Sequence, residues 1–483
     1  MAFWNKVEKA EVELRSEAED QSTSGRPTRE GDLHLERQGL APIPDDGRYG
    51  GKIRAFTVWF TPNMAPSALF TGTLASASFI GISFVWGVVA IVIGLTIGCV
   101  LTGLLAAMGP RTGMAQLPFA RLPFGKSIIL PGLTNWVSQI LWDGINGLFG
   151  AEAFKVLFHT PFWFGLLVII ALQGLLAFFG YEAIHTFSKW MAGFLAIIFV
   201  ILTVKIVSVS TVHIPATSHG ANAVGGFILM VTIVASGVMS WAPYASDYTR
   251  YMSRQTSSWA IIWRTIAGIG IPAIWLEILG LAAAARLANQ TGAGIYHLLG
   301  GRFLGVIGMI AVIVTTIAVD ALDDYTGSLS LQSTGIPIPR PVSAVVVAAG
   351  GFAAALYMYD GNLAGKYTNI LLLFGYWIGP FIAIVLVDWW LRRGNVDVSK
   401  LAHFPSLPTG YRALTAFVIG WASVIPFMNT SYYEGPVATA LHGGDLGYYV
   451  GFIVGGVVYY FLCRGPVRQE SIGTKHETLA SEV

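Results

Sequence analysis

Charged residues are scarce in this chain. They make up 12% of its 483 residues, where a soluble globular protein of this length carries about a quarter. That shortage excludes a fold wrapped in a solvated surface. Cysteine is nearly absent: Cys99 and Cys463 stand alone, both within apolar stretches, so no disulfide framework is available. Nine histidines show no metal-ligand spacing, and no His-Glu-x-x-His occurs, which removes the usual sequence signs of a zinc site and of any resident metal or cofactor. A Gly-x-x-x-x-Gly-Lys-Ser/Thr loop is also missing, so the chain has no recognisable site for driving transport with ATP. Strand-length alternation of apolar and polar residues, which a membrane β-barrel needs, is absent as well.

What the chain does have is long apolar runs, with hydrophobic residues at 54% of the total. A spanning helix requires about 20 mostly apolar residues. By that measure twelve spans are predicted, near 54–79, 83–108, 129–156, 162–181, 186–208, 224–247, 260–286, 303–332, 342–360, 366–391, 411–430 and 446–464. With the N-terminus in the cytoplasm, most of the 29 lysines and arginines fall on the inner side. Only Lys155, Lys205, Arg286, Arg302 and Lys366 fall outside. The expectation is a multi-pass protein of the plasma membrane with both termini cytoplasmic. The net charge of +2 reflects this topology, not a nucleic-acid partner. The polar segment 1–53 lacks the apolar core of a signal peptide and reads as a cytoplasmic tail. A second tail is expected at 465–483.

Two apolar segments are interrupted near their middles. One reads Thr57-Val-Trp-Phe-Thr-Pro-Asn-Met-Ala-Pro-Ser67, the other Ser236-Gly-Val-Met-Ser-Trp-Ala-Pro-Tyr-Ala-Ser-Asp247. Proline removes a backbone donor and clashes with the preceding turn, so both helices are expected to unwind there. Lipid cannot satisfy the freed backbone groups, which confines such breaks to cavities or protein contacts. They fall in spans one and six. Spans one to five (54–208) and six to ten (224–391) then form two units of five, oppositely oriented because five is odd, with 411–464 as two extra spans. Paired breaks in an inverted repeat are the sequence sign of a secondary transporter's binding site.

Polar residues at membrane depth point to the same place. Span eight contains Val319-Asp-Ala-Leu-Asp-Asp-Tyr-Thr-Gly-Ser-Leu-Ser-Leu-Gln332, with Asp320, Asp323 and Asp324 at i, i+3 and i+4 on one side of the helix. A carboxylate at the bilayer centre costs roughly 2.5–3.5 kcal/mol on insertion scales. Three must therefore be protonated, paired with cations or hydrated, which suits a coupling element. The plainer reading is a shorter span whose aspartates sit in a wet vestibule. Span three contains Gln139, Trp142, Asp143 and Asn146 at helical spacing. An indole beside a carboxamide suits a flat heterocycle, stacked on its face and hydrogen-bonded at its edge. The plainer reading makes the amides interhelical glue and the tryptophan packing. Asp247 and Arg250 read as an ion pair closing a helix, and Glu182 and Glu277 are isolated carboxyls with no assigned role.

Other stretches carry a resemblance. They are Leu35-Glu-Arg-Gln-Gly-Leu-Ala-Pro-Ile-Pro, Arg48-Tyr-Gly-Gly, Trp59-Phe-Thr-Pro-Asn63, Gly109-Pro-Arg-Thr-Gly113 and Arg121-Leu-Pro-Phe-Gly125. Further along come Trp142 to Gly150, Pro243-Tyr-Ala-Ser-Asp-Tyr-Thr-Arg-Tyr251, Tyr325 to Gln332, and Gly375-Tyr-Trp-Ile-Gly-Pro380 with Asp388. With these the chain resembles the nucleobase–cation symporter family, and within it the purine–cytosine permease branch. The resemblance implies an all-α polytopic fold: a five-plus-five inverted repeat of the LeuT-like kind with two extra C-terminal helices. It also implies one substrate site between spans one, three, six and eight. There Trp142 and Asn146 match the family's base-contacting pair. Val238 stands where the family has an aromatic, so stacking passes to Trp142 or Trp241, and Asp323 replaces an asparagine. Asn63 and Ser67 would complete the span-one side. Sodium-coupled relatives use span-one carbonyls, here Thr61 and Met64, and span-eight hydroxyls, here Thr315 and Thr316. Ile317, Ala318 and Val319 replace the rest of the hydroxyl cluster, which favours a proton over sodium, with Asp320 and Asp324 carrying or sensing it.

The expected function is thus import of a nucleobase or related nitrogenous heterocycle by cation symport, with H+ or Na+ and the lipid bilayer as partners. A carrier of the same fold for hydantoin, allantoin, thiamine or an amino acid is the alternative. A channel or a membrane-embedded enzyme is the rival from another class, and the chain shows no nucleophile–base constellation for the latter.

Overall fold

The computed structural model describes residues 40–48, 51, 53–178, 181–209, 214–287, 291–336, 338 and 340–481. Most of the expected N-terminal tail, including the start of the Leu35 motif, lies outside them. The described chain is helical throughout, with an isolated bridge between Asn429 and Glu434. Each of the twelve predicted spans corresponds to a helix or a helix pair. Seven helices are individually long and apolar enough to cross a membrane. Spans three and four, Ile129–Phe158 and Phe162–Phe178, follow each other through a bend of 118°. Spans five and eleven offer shorter apolar helices, Gly193–Ser208 and Tyr411–Phe427. Span twelve begins at Gly447, and its helix runs on through Pro466 to Ser481, into the stretch expected as a tail.

Both breaks form where proline dictates. Span one is two half-helices, Arg54–Phe60 and Pro66–Thr73. Ala65 between them is extended, and Pro66 occupies the first turn of the second half, where its missing N–H is not needed. The Asn63 side chain donates to the Trp59 carbonyl at 2.8 Å, supplying the donor that a continuous helix would have placed there. Span six runs from Gly220 to Met239, tightens into a single 3-10 turn at Ala242–Tyr244 around Pro243, and resumes at Ala245–Thr249.

Two groups of helices face each other. Span seven (Ser258–Ala282) packs on both halves of span one and on span two (Phe84–Ala106), and span two packs on span six. Span eight (Phe303–Ser333) packs on spans three, four and five, and span nine (Arg340–Tyr359) packs on span three. The pairings are reciprocal under a shift of five: one with seven mirrors six with two, and three with nine mirrors eight with four. That is the contact pattern of an inverted five-plus-five repeat. Span ten (Leu363–Arg392) packs against span six and against the extra spans eleven and twelve.

Glycine permits the tightest of these contacts. A Cβ on Gly72 would lie 1.8 Å from the Glu277 carbonyl oxygen, and one on Gly280 would lie 1.9 Å from that of Leu69. Span seven and the second half of span one are therefore in backbone contact. At the far end of span eight, the buried Arg121 donates to the Ser333 carbonyl at 2.9 and 3.0 Å and to that of Leu401 at 2.8 Å. A cation on the orphan carbonyls of a helix C-terminus is a favourable cap, and it ties span eight to the segment after span ten.

Candidate functional site

The two breaks open onto one cavity, bounded by spans one, six and seven on one side and three, eight and ten on the other. Asn63 and Ser67 line it from span one, Val238 and Trp241 from span six, Trp142 and Asn146 from span three, and Asp323 from span eight. All seven residues singled out for substrate in the sequence therefore share its wall. The aromatic faces are held by other rings. Trp142 stacks on Phe374, with centroids 5.5 Å apart and planes 27° apart. Trp241 meets Trp59 and Tyr244 edge-on at 5.8 and 5.5 Å. Asn146 Nδ2 lies 3.3 Å from Asp323 Oδ2, so an amide and a carboxyl stand as one polar edge beside the indole.

Val238 also explains why no aromatic occupies its position. Its side chain lies against Gly98 of span two, where even a methyl on the glycine would approach Val238 Cβ to 2.6 Å. The aromatic surface beside it on span six comes from Trp241.

Four further polar lining residues had drawn no role from the sequence: Thr71, Tyr244, Glu277 and Tyr367. Tyr367 of span ten shares a hydrogen bond with the Thr71 hydroxyl at 2.7 Å and donates to the Ser67 carbonyl at 3.3 Å, clipping span ten to the second half of span one. Glu277 carried a sequence signal, since a lone carboxyl in an apolar span is functional by default. Tyr367 carried none, because nothing in the order of residues says that span ten reaches the cavity.

The residues expected to serve the cation lie in three places. Thr315 and Thr316 line a small adjoining cleft with Ala65, Pro66 and Asn146, beside the break in span one. Thr315 Oγ1 donates to the Ala311 carbonyl at 2.7 Å. Thr61 and Met64 sit in the break itself, joined by a Met64 N–H to Thr61 carbonyl bond of 3.0 Å, and line neither space. Asp320 and Asp324 do not line the cavity and lie on the adjoining face of span eight. In a helix Asp320 lies about 40° from Asp324 and about 60° from Asp323, with Asp323 and Asp324 about 100° apart, so the cavity face and the adjoining face are neighbours.

That second face meets Asp143 of span three, which lies within electrostatic reach of all three span-eight aspartates. The Gln173 amide of span four donates to Asp143 Oδ1. Asp143 Oδ2 and both carboxyl oxygens of Asp320 and Asp324 are buried with no hydrogen-bond partner among the described residues. Span nine covers them through Gly351, where a Cβ would fall 1.8 Å from Asp143 Oδ2. A buried carboxylate without donors is strongly unfavourable, so each of these groups requires a proton or another cation. No group of three or more His, Cys, Asp or Glu with metal-binding geometry occurs among the described residues.

Beyond the break in span six, Asp247 Oδ1 accepts from the Gln116 N–H at 2.8 Å, and Arg250 donates to the Tyr325 hydroxyl at 3.1 Å. These contacts brace the second half of span six outside the cavity lining.

Residues 42–451 match the family described as permease for cytosine/purines, uracil, thiamine, allantoin. YxlA of Bacillus subtilis (strain 168), whose name places it among the purine-cytosine permeases, is 28% identical over 456 residues, covering 91% of this chain and 98% of its own. The purine-cytosine permease FCY2 of Saccharomyces cerevisiae is 24% identical over 462 residues, 89% of this chain and 86% of its own. Among solved structures, Mhp1, a nucleobase-cation-symport-1 family transporter in a closed conformation with bromovinylhydantoin bound, superposes with a TM-score of 0.72 at 17% identity. The superposition covers 91% of this chain and 97% of that one. At that identity the likeness is one of fold.

Proposed function

The chain belongs to the family of permeases for cytosine/purines, uracil, thiamine and allantoin, and on that premise we propose that it imports a cytosine- or purine-class base by proton symport across the plasma membrane, with both termini in the cytoplasm. It is a secondary active transporter and not an enzyme. The observation that carries the substrate reading is the cavity wall: ring faces at Trp142 and Trp241 beside the Asn146–Asp323 edge, with no lysine, arginine or histidine lining it among the described residues. A planar, uncharged heterocycle satisfies such a wall on both face and edge.

In this reading Trp142 stacks on the base while Asn146 and Asp323 read its edge. Asn63 and Ser67 close the span-one side, Trp241 supplies the second aromatic surface, and Val238 leaves room for the ring. The halves 54–208 and 224–391 supply the moving bundle and the scaffold it rocks against. Asp320 and Asp324, joined by Asp143, hold the coupling proton on the adjoining face of span eight. Thr315, Thr316, Thr61 and Met64 are the residues a sodium ion would use instead. Two features favour the proton: the carboxyls that lack donors, and the apolar run Ile317, Ala318, Val319 where a hydroxyl cluster would stand.

Binding and uptake of labelled cytosine, adenine and uracil by the purified protein in proteoliposomes test the reading. Uptake is expected to saturate and to vanish in the N146A/D323A double variant. Undiminished uptake of every base in that variant, or displacement of labelled base by thiamine or a leading amino acid at lower concentration, would overturn it.

A further inference from the structure

Glu277 remains outside the account so far. It lines the cavity from span seven, one helical turn after Ala273, which lines it too. It is buried, its Oε2 is shut off from solvent without a hydrogen-bond partner, and no salt bridge reaches it among the described residues. The cavity's other carboxyl, Asp323, is engaged by Asn146. The hydroxyls nearest in the lining are committed as well, Thr71 and Tyr367 to each other. Glu277 is thus the acceptor in this wall that no protein donor answers.

Such a group is costly unless something that enters the cavity supplies the donor. Its position is also fixed. Backbone contact at Gly72 and Gly280 holds this part of span seven against the second half of span one, so Glu277 travels with the half-helix that carries Ser67 and Thr71.

Resting on the nucleobase reading above, we propose that Glu277 is a specificity-determining residue that accepts a hydrogen bond from an exocyclic amine of the base, so that the transported substrates are amino-substituted. With Glu277 ionised its carboxylate only accepts, so it rewards an amine at that point and repels a carbonyl. A site built for an N–H rejects the analogue that lacks it more strongly than an apolar site would, because the polar group is left unpaired. Asp323 and Glu277 then read a bound base from two sides of the cavity, one on the scaffold and one on the bundle.

Cytosine and uracil provide the test, since one carries an amine where the other carries a carbonyl; adenine and hypoxanthine repeat the comparison. Affinities are measured on the full chain, wild type, E277Q and E277A, with melting temperature as the check on folding. The wild type is expected to bind cytosine about tenfold or more tightly than uracil. Both variants should lose about tenfold or more in cytosine affinity while uracil changes by less than about threefold. Equal affinity for cytosine and uracil in the wild type overturns the proposal without any variant. So does an unchanged cytosine-to-uracil ratio in a folded E277Q. A wild-type protein that binds no purine or pyrimidine base refutes the reading of the cavity itself, and this inference with it.

Discussion

Span eight carries the same residue type on two faces in opposite circumstances. On the cavity face Asp323 stands at an open wall, engaged by the Asn146 amide at 3.3 Å and flanked by aromatic rings. On the adjoining face Asp320 and Asp324 are buried beside Asp143, which span nine covers, and none of their four oxygens meets a donor among the described residues. A carboxyl with a partner at a cavity wall can read a ligand. A carboxyl with none, in a dry interior, can only hold a small cation. In the proposed reading one helix places recognition at Asp323 and coupling at Asp320 and Asp324, about 60° and about 100° of rotation away.

Breaking the cavity face should have the largest effect. N146A/D323A removes both halves of the polar edge and is expected to lower cytosine affinity by about 100-fold or more, read by equilibrium binding to purified protein. Breaking the other face should spare binding. D320N/D324N is expected to keep cytosine affinity within about threefold and to sustain exchange of base across a vesicle membrane at equal concentrations. Accumulation against a gradient should be lost. If binding falls as far as in N146A/D323A, the two faces are one site and the comparison fails.

A smaller effect probes how tightly the adjoining face is sealed. G351A places a methyl where Asp143 Oδ2 now sits, 1.8 Å away. Overpacking of that kind costs typically about 1–3 kcal/mol. A lowered melting temperature and slowed coupled uptake are expected, with cytosine affinity unchanged.

Asp445, in the connection between spans eleven and twelve, is a control remote from both faces. Burial pushes its carboxyl up to about 6, against the hydrogen bonds it receives from Tyr376 and from the N–H groups of Gly447 and Asn429 at 2.7 and 2.8 Å. A raised carboxyl favours the folded state most when protonated, so its contribution is full below about 4 and is lost as pH rises through about 6. Melting temperature should fall by no more than about 4 °C between pH 5 and 8 on this account, and D445N should flatten that slope without altering uptake.

Much of this architecture was legible in the order of residues. Apolar run lengths located a helix or helix pair for each of the twelve predicted spans, and Pro62, Pro66 and Pro243 located both breaks, because lipid leaves the backbone few alternatives. Helical spacing brought Trp142 and Asn146 to one wall. The same spacing did not divide the aspartates, since i, i+3 and i+4 read as a single stripe until two neighbours claim its two edges. Spans three and four take Asp320 and Asp324, and the cavity takes Asp323. Tyr367 reaches the site through the packing of span ten on span six, a contact between distant segments that no local pattern encodes. Glu277 was visible as an isolated carboxyl, but its partnerless state depends on which side chains surround it.

The central claim is that this transporter uses its cavity for a base and the sealed carboxyls for a proton. Accumulation of labelled cytosine in proteoliposomes, under an imposed pH gradient without sodium or an imposed sodium gradient at equal pH, tests it most directly. The account predicts accumulation under the inward proton gradient alone, abolished in D320N/D324N. Accumulation driven by sodium at equal pH, and intact in that variant, would contradict it.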